Sequence, residues 1–226
     1  MSISIPNVRF LALAALAACI LGAGQAAQAA AVTIGTATGG NCFPFSCGIS
    51  ANSHYQQVYS AAAFGGPITI GEIDFYQTFT VGGSQAAGTF TFSLSHSARA
   101  VNELDTVDFA HNIGADNTLF GIYTLSNTGA LATLQFTGAP FYYDGIGDLL
   151  LDIQVSGFAA TSRPSQAFYD AMNGDSGGLF SRAHDFGIGF TGYGLVTHFA
   201  PVPVPEPGAL ALVGIALLAA GRTRRR

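Results

Sequence analysis

Gly174-Asp175-Ser176-Gly177-Gly178 is the run in this chain that comes nearest to a nucleophilic site. Glycines on either side of a serine let the backbone aim N–H groups at a developing oxyanion, and a nearby histidine would take the hydroxyl proton. The partners are hard to find. His54 is the one histidine at a suitable early position, and it carries no surrounding motif. Asp105 or Asp108 can be nominated as the acid, again without a motif. Only residues 177–200 separate Ser176 from the tail described below, too few to complete a second barrel. The expectation is therefore a glycine-rich turn and a chain that is not an enzyme, with a serine hydrolase using Ser176 kept as a remote alternative.

Metal and redox chemistry are no better supported. Asp144, Asp148 and Asp152 recur every four residues, but across a turn and into a strand they need not converge. Calcium takes six to eight oxygens, and no Asp-rich loop of the EF-hand type is present. His54, His96, His111, His184 and His198 are scattered without helical pairing. No metal and no cofactor is expected. Cys42 and Cys47 stand in Asn-Cys-Phe-Pro-Phe-Ser-Cys, which is not the Cys-x-x-Cys of a redox motif. In an exported chain their default is a disulfide, a local staple at the domain entrance. So small a loop gains about 2 kcal/mol from chain entropy.

Export is read from the first residues. Met1 to Ala29 has a short start carrying Arg9, an uncharged apolar run from Phe10 to about Gly24, and the small-x-small site Ala27-Gln28-Ala29. Cleavage after Ala29 is expected, with Ala31 as an alternative. Leu16-Ala17-Ala18-Cys19 also reads as a lipobox, but Ile20-Leu21 carry the apolar run past the cysteine. Residues 1–29 are thus a signal helix, 30–200 an ectodomain and 201–226 a tail. All eight basic residues are arginine, and the ectodomain keeps only Arg99, Arg163 and Arg182 against twelve acids, a formal charge of −9. Such a surface repels phosphate backbones, which argues against nucleic acid. It is a poor partner for acidic polysaccharide as well, unless a divalent cation bridges the two.

The elements of the ectodomain read as all-β. Thr89–Ser95 alternates strictly, and Leu149, Leu151, Ile153 and Val155 alternate against Asp152, Gln154 and Ser156, with Leu150 alone breaking the polar face. Ile68–Thr80, Thr118–Leu125, Leu131–Thr137 and Gly187–Phe199 are further strands. Tyr55–Tyr59 is strand or helical turn, Ser60–Phe64 a turn or short helix, and Ala98–Ile113 allows one short helix. Gly65-Gly66, Gly82-Gly83 and Asp144-Gly145 supply turns. Strands at this spacing predict an antiparallel β-sandwich, jelly-roll-like. Eight tyrosines, all in the ectodomain and including Tyr142-Tyr143, allow a sugar platform, although tryptophan is absent.

The tail has three parts in order: Val204-Pro205-Glu206-Pro207, the uncharged Gly208–Gly221, and Arg222-Thr223-Arg224-Arg225-Arg226. As a helix the middle part is about 21 Å long, short of the ~30 Å hydrocarbon core. The arginines Arg222, Arg224, Arg225 and Arg226 act as a stop signal that holds the end on the cytoplasmic side. A short transmembrane helix of this kind suits a brief hold before cleavage. Together the three parts resemble the PEP-CTERM sorting signal, over about a tenth of the chain. The resemblance implies recognition by an exosortase, a membrane cysteine protease-like transpeptidase of Gram-negative bacteria, after signal peptidase has acted. It implies cleavage near Pro205-Glu206-Pro207 and delivery to the cell surface or an exopolysaccharide matrix, with extracellular polysaccharide as a further partner. Tyr55–Tyr59, Asn112–Asp116, Asp148–Ile153 and Gly194–Thr197 look like segments of other PEP-CTERM passenger domains. The serine run resembles the nucleophile motif of trypsin-like proteases, but the Ala-Ala-His-Cys segment of those enzymes is missing. The expected role is structural or adhesive, with a carbohydrate-binding module as the alternative.

Overall fold

The computed structural model describes residues 30–48, 51–78, 83–127, 129, 131–159, 166–174, 177–185 and 187–202. The expected signal helix, the transmembrane helix, the sorting residues Val204, Pro205, Glu206 and Pro207, the arginines from Arg222 onward, and Ser176 with Asp175 all lie outside them.

The described residues are all-β, and every pairing between their strands is antiparallel. The strands are β1 (Val32–Ile34), β2 (Gly39–Asn41), β3 (Ser53–Tyr59), β4 (Ile68–Tyr76), β5 (Ala87–His96), β6 (Thr118–Leu125) and β7 (Thr133–Tyr143). They continue with β8 (Leu149–Ala159), β9 (Tyr169–Met172), β10 (Phe180–His184), β11 (Ile188–Phe190), β12 (Gly194–Leu195) and β13 (Thr197–Pro201). A four-stranded sheet runs β1-β13-β4-β7, a six-stranded sheet β11-β10-β3-β8-β5-β6, and a small third sheet β12-β9-β2.

The two larger sheets share one core. Period-2 alternation aims Tyr55 and Tyr59 of β3, Phe90 and Phe92 of β5, and Ile153 of β8 the same way, against Ile73 and Phe75 of β4, Phe136 of β7 and Phe199 of β13. Phe92 meets Phe136 at 4.5 Å between ring centroids, and Tyr59 meets Phe199 edge-on at 5.0 Å. Tyr59 also bonds Thr197 Oγ1 across the gap at 2.7 Å, so its buried hydroxyl is satisfied.

Several sequence expectations shift. Tyr55–Tyr59 is strand, inside β3, and Ser60–Phe64 holds a single 3-10 turn at Ala61–Ala63. Thr118–Leu125 is β6 to the residue. The strand expected over Leu131–Thr137 runs on to Tyr143, through Gly138 and Pro140. An edge strand tolerates the proline, whose missing N–H would break an interior ladder. Gly138 is needed for a different reason: a Cβ there would lie 2.4 Å from Phe120 O. The helix allowed over Ala98–Ile113 is instead a looping connection with one 3-10 turn, Phe109–Asn112, capped by Asp108 accepting from Ala110 N. Gly187–Phe199 divides into β11, β12 and β13. At the end of the domain, β13 reaches Pro201 and Val202 N donates to Thr69 O at 3.2 Å, slightly beyond the expected boundary at 200.

The cysteine loop does more than close an entrance. Cys42 and Cys47 Sγ are 2.00 Å apart, and Ser46 N and Cys47 N both donate to Cys42 O. Between them Phe45, fully buried, enters the shared core within 6 Å of the rings of Phe75, Phe90, Phe136 and Tyr169.

Candidate functional site

The outer face of the six-stranded sheet is where polar side chains collect. Opposite the inward Tyr55, Gln57 and Tyr59, strand β3 presents His54, Gln56 and Val58. Opposite Leu151 and Ile153, strand β8 presents Leu150, Asp152 and Gln154. Half of this face is covered by the β5–β6 connection, 97–117. That cover explains why Leu150 and Asp152 are both buried on a face that the alternation marks as polar.

The covered half is a closed hydrogen-bond network. His54 Nε2 meets Asp152 Oδ1 at 2.5 Å, and Gln56 Nε2 donates to the same oxygen at 2.7 Å. Gln56 also donates to Phe109 O at 3.1 Å and accepts from Asn112 Nδ2 at 2.7 Å. Asn112 in turn donates to Asp105 O and accepts from Asp105 N. The His54 ring rests 4.6 Å from Phe109. Asp152 is thus satisfied from β3, and the Gln56 amide, which would cost ~1–3 kcal/mol unpaired, is bonded both to β8 and to the connection.

The sequence nominated Asp105 and Asp108 as acids for His54. Both serve His111 instead, Asp105 Oδ2 at 2.8 Å from Nδ1 and Asp108 Oδ2 at 3.4 Å from Nε2, and the carboxylate beside His54 is Asp152. Backbone N–H groups of Asp108 and Val107 and the His111 ring hold the Asp105 carboxyl well below its ordinary range. The Asp144, Asp148 and Asp152 series does not converge. Asp144 takes His96 Nε2 at 3.0 Å, Asp148 accepts from Ala61 N and Val101 N, and Asp152 holds His54. Bonding to Asp116 and then Asp144 raises His96 above the usual imidazole range against an opposing push from burial. Among the described residues no group of three or more His, Cys, Asp or Glu is placed to hold a metal ion.

The other half of the face is open. Asn52, Ser53, His54, Thr91, Gln154, Val155 and Ser156 line a groove of about 280 Å³. Register builds its floor: His54 pairs with Gln154, Gln154 with Thr91, and Thr91 with Ile122, one row across β3, β8, β5 and β6. Ser53 Oγ is occupied by Asp185 Oδ1, and Gln154 Nε2 makes a long 3.3 Å bond to Asp152 Oδ2.

A second hollow, about 360 Å³, lies between residues 102–106 and 187–191. Nearby in sequence, Arg182 of β10 is turned to the inner side with Gln57 and Phe190, its register partners. It is 5% exposed, and its Nε and Nη1 are buried without a hydrogen-bond partner among the described residues. Its guanidinium lies 4.1 Å from the Tyr193 ring centroid and 4.9 Å from that of Phe190, so the ring faces supply attraction to the cation. Burial lowers its affinity for a proton, and Tyr55 and Tyr193 partly restore it. Of the expected sugar-platform pair, Tyr142 is 64% exposed while Tyr143 is buried and donates to Gly147 O at 2.5 Å.

Gln56, Thr91, Gln154 and Asn52 carry no motif that marks them as site residues. A signal for the first and third was present: amides at outward positions of strands that turn Tyr55, Tyr59, Leu151 and Ile153 inward.

Residues 203–226 match the PEP-CTERM protein-sorting motif. The chain therefore carries that motif, which implies exosortase-dependent export and surface sorting. No curated protein and no solved structure matches the chain. Among the described residues no helix is long and apolar enough to cross a membrane.

Proposed function

We propose that this chain is an exported cell-surface or matrix protein with a structural or adhesive role, delivered by its tail and not an enzyme. Residues 1–29 direct export and are removed by signal peptidase, residues 203–226 hold the chain at the membrane until an exosortase cuts near Pro205-Glu206-Pro207, and the domain between them is the delivered product. The match of residues 203–226 to the sorting motif carries this reading.

The delivered domain is a β-sandwich of the jelly-roll kind. If β1, β3, β4, β5, β6, β7, β8 and β13 are counted in order, the two sheets run 1-8-3-6 and 2-7-4-5, the arrangement of two interleaved Greek keys, with β10 and β11 added at one edge. Cys42 and Cys47 form an oxidised pair in this reading, as an exported location favours. A sandwich whose outer face bonds His54, Gln56, Asp152 and Asn112 to one another suits a passive, durable surface component.

The test is surface display. Cells producing the natural chain, or one with Pro205→Ala, Glu206→Ala and Pro207→Ala together, are shaved with protease, with and without the exosortase gene. The natural chain becomes protease-accessible only when the exosortase is present, and the triple variant does not in either background. Equal accessibility of both chains in both backgrounds would contradict the proposal.

A further inference from the structure

We infer that the open groove on the outer face of the six-stranded sheet, floored by Thr91, Gln154 and Ser156 and walled by Asn52, Ser53 and His54, is a binding site for a neutral oligosaccharide. The inference rests on the proposed surface location for its access to glycans, and on the groove itself for its chemistry.

Three observations converge. The first is unspent hydrogen-bonding capacity. In the covered half of the same face, His54, Gln56, Asp152 and Asn112 are tied to one another and to the connection 97–117. In the open half, the Thr91 and Ser156 hydroxyls and the Gln154 carbonyl make no hydrogen bond among the described residues, and Gln154 and Ser156 are exposed. A hydroxyl both donates and accepts, and an amide oxygen accepts twice, which are the groups that pair with sugar hydroxyls.

The second is pre-organisation. Thr91 and Gln154 sit on strands whose register is fixed from both sides, and His54 is pinned by Asp152 on one edge and by Phe109 on its face. A floor already ordered loses little entropy when a ligand binds. The volume of about 280 Å³ is at the small end of ligand sites, which suits one or two rings of a chain lying across the groove. At the foot of the row Ile122 is 61% exposed and offers an apolar patch to the C–H face of a sugar.

The third is charge. None of the residues lining the groove is acidic or a permanent cation, and the one titratable ring is paired with a carboxylate. The surrounding domain is acidic, with twelve acids against three arginines over residues 30–200. Uronate-bearing or sulfated chains are repelled, while neutral ones are not. The row also runs across the strands and not along an exposed edge, so a peptide could not add to it as a further strand.

The test uses the full-length chain purified in detergent, so that a failure of sorting in the cell does not affect it. Its binding is read on an array of neutral glucan, galactan and mannan oligosaccharides printed beside uronate-bearing ones, and then by calorimetry with the best binder. The expected result is binding to at least one neutral oligosaccharide, weakened tenfold or more in Thr91→Ala/Gln154→Ala and unchanged in Tyr142→Ala, which lies on the other sheet. Thermal unfolding of the double variant within a few degrees of the natural chain confirms that it is folded. Absence of neutral binders, binding to uronate-bearing chains alone, or equal affinity in the folded double variant would each overturn the inference.

Discussion

The domain of residues 30–202 and the tail of residues 203–226 store information in different physical forms. In the domain it is distributed. Phe45 matters because β4, β5 and β7 bring Phe75, Phe90 and Phe136 around it, and Asp152 matters because β3 and the connection 97–117 bring His54, Gln56 and Asn112 together. In the tail it is local: the matched residues 203–226 hold a Pro-Glu-Pro run, an apolar stretch and terminal arginines, in that order. A change in the domain should therefore be felt as stability. A change in the tail should be felt as location, with the domain indifferent.

The largest effect expected from a single change is in the core. Phe45→Ala removes a ring that four others enclose, and should cost about 3–5 kcal/mol in urea unfolding. A loss of no more than about 1 kcal/mol would mean that the cysteine loop lies on the core and not in it. Next comes the outer network. Asp152→Ala leaves Gln56 Nε2 and His54 Nε2 without their shared acceptor, and should cost about 2–3 kcal/mol by the same measurement. If Asp152→Ala is neutral, the covered half of the face is loosely held and the contrast with the open groove disappears.

A smaller effect carries a sign. His96 is raised above its ordinary value by Asp116 and Asp144, so its folded-state pKa exceeds that of the unfolded chain. Its contribution is then complete below about pH 6.5 and fades as the pH rises through the folded value. Asp144, held low by Ile146 N and by His96, loses its share only on the acid side. Since His96 is about a third exposed, His96→Asn should flatten the decline in stability above neutral pH by less than about 1 kcal/mol. A steeper decline in the variant would reverse the assignment. The smallest effect on the domain is that of Glu206→Ala, which should leave unfolding within about 0.5 kcal/mol of the natural chain while abolishing surface release. A destabilised domain in that variant would break the division between the two regions.

Much of the domain was legible from alternation. β5, β6 and β8 lie where Thr89–Ser95, Thr118–Leu125 and Leu149–Val155 placed them, because one inward face repeats every second residue. β10 was not legible, since Phe180, Arg182 and His184 share its inner face and two of the three read as polar. Nor was the helix-to-loop change at Ala98–Ile113, where side chains of Asp105, Asp108 and Asn112 bond the backbone and compete with a helical ladder. The groove was beyond reach for a geometric reason. His54, Thr91 and Gln154 are separated by 37 to 100 positions and meet only through the register of three strands. The burial of Phe45 between Cys42 and Cys47 was not legible either, because it depends on β4, β5 and β7 closing around the ring.

Whether the tail is a temporary address on an independently specified domain is read from the intact mass of the chain recovered from the cell surface or medium. The expected product begins near Ala30 and ends near Pro205-Glu206-Pro207, without the arginine cluster. A released chain that still ends at Arg226 would contradict it.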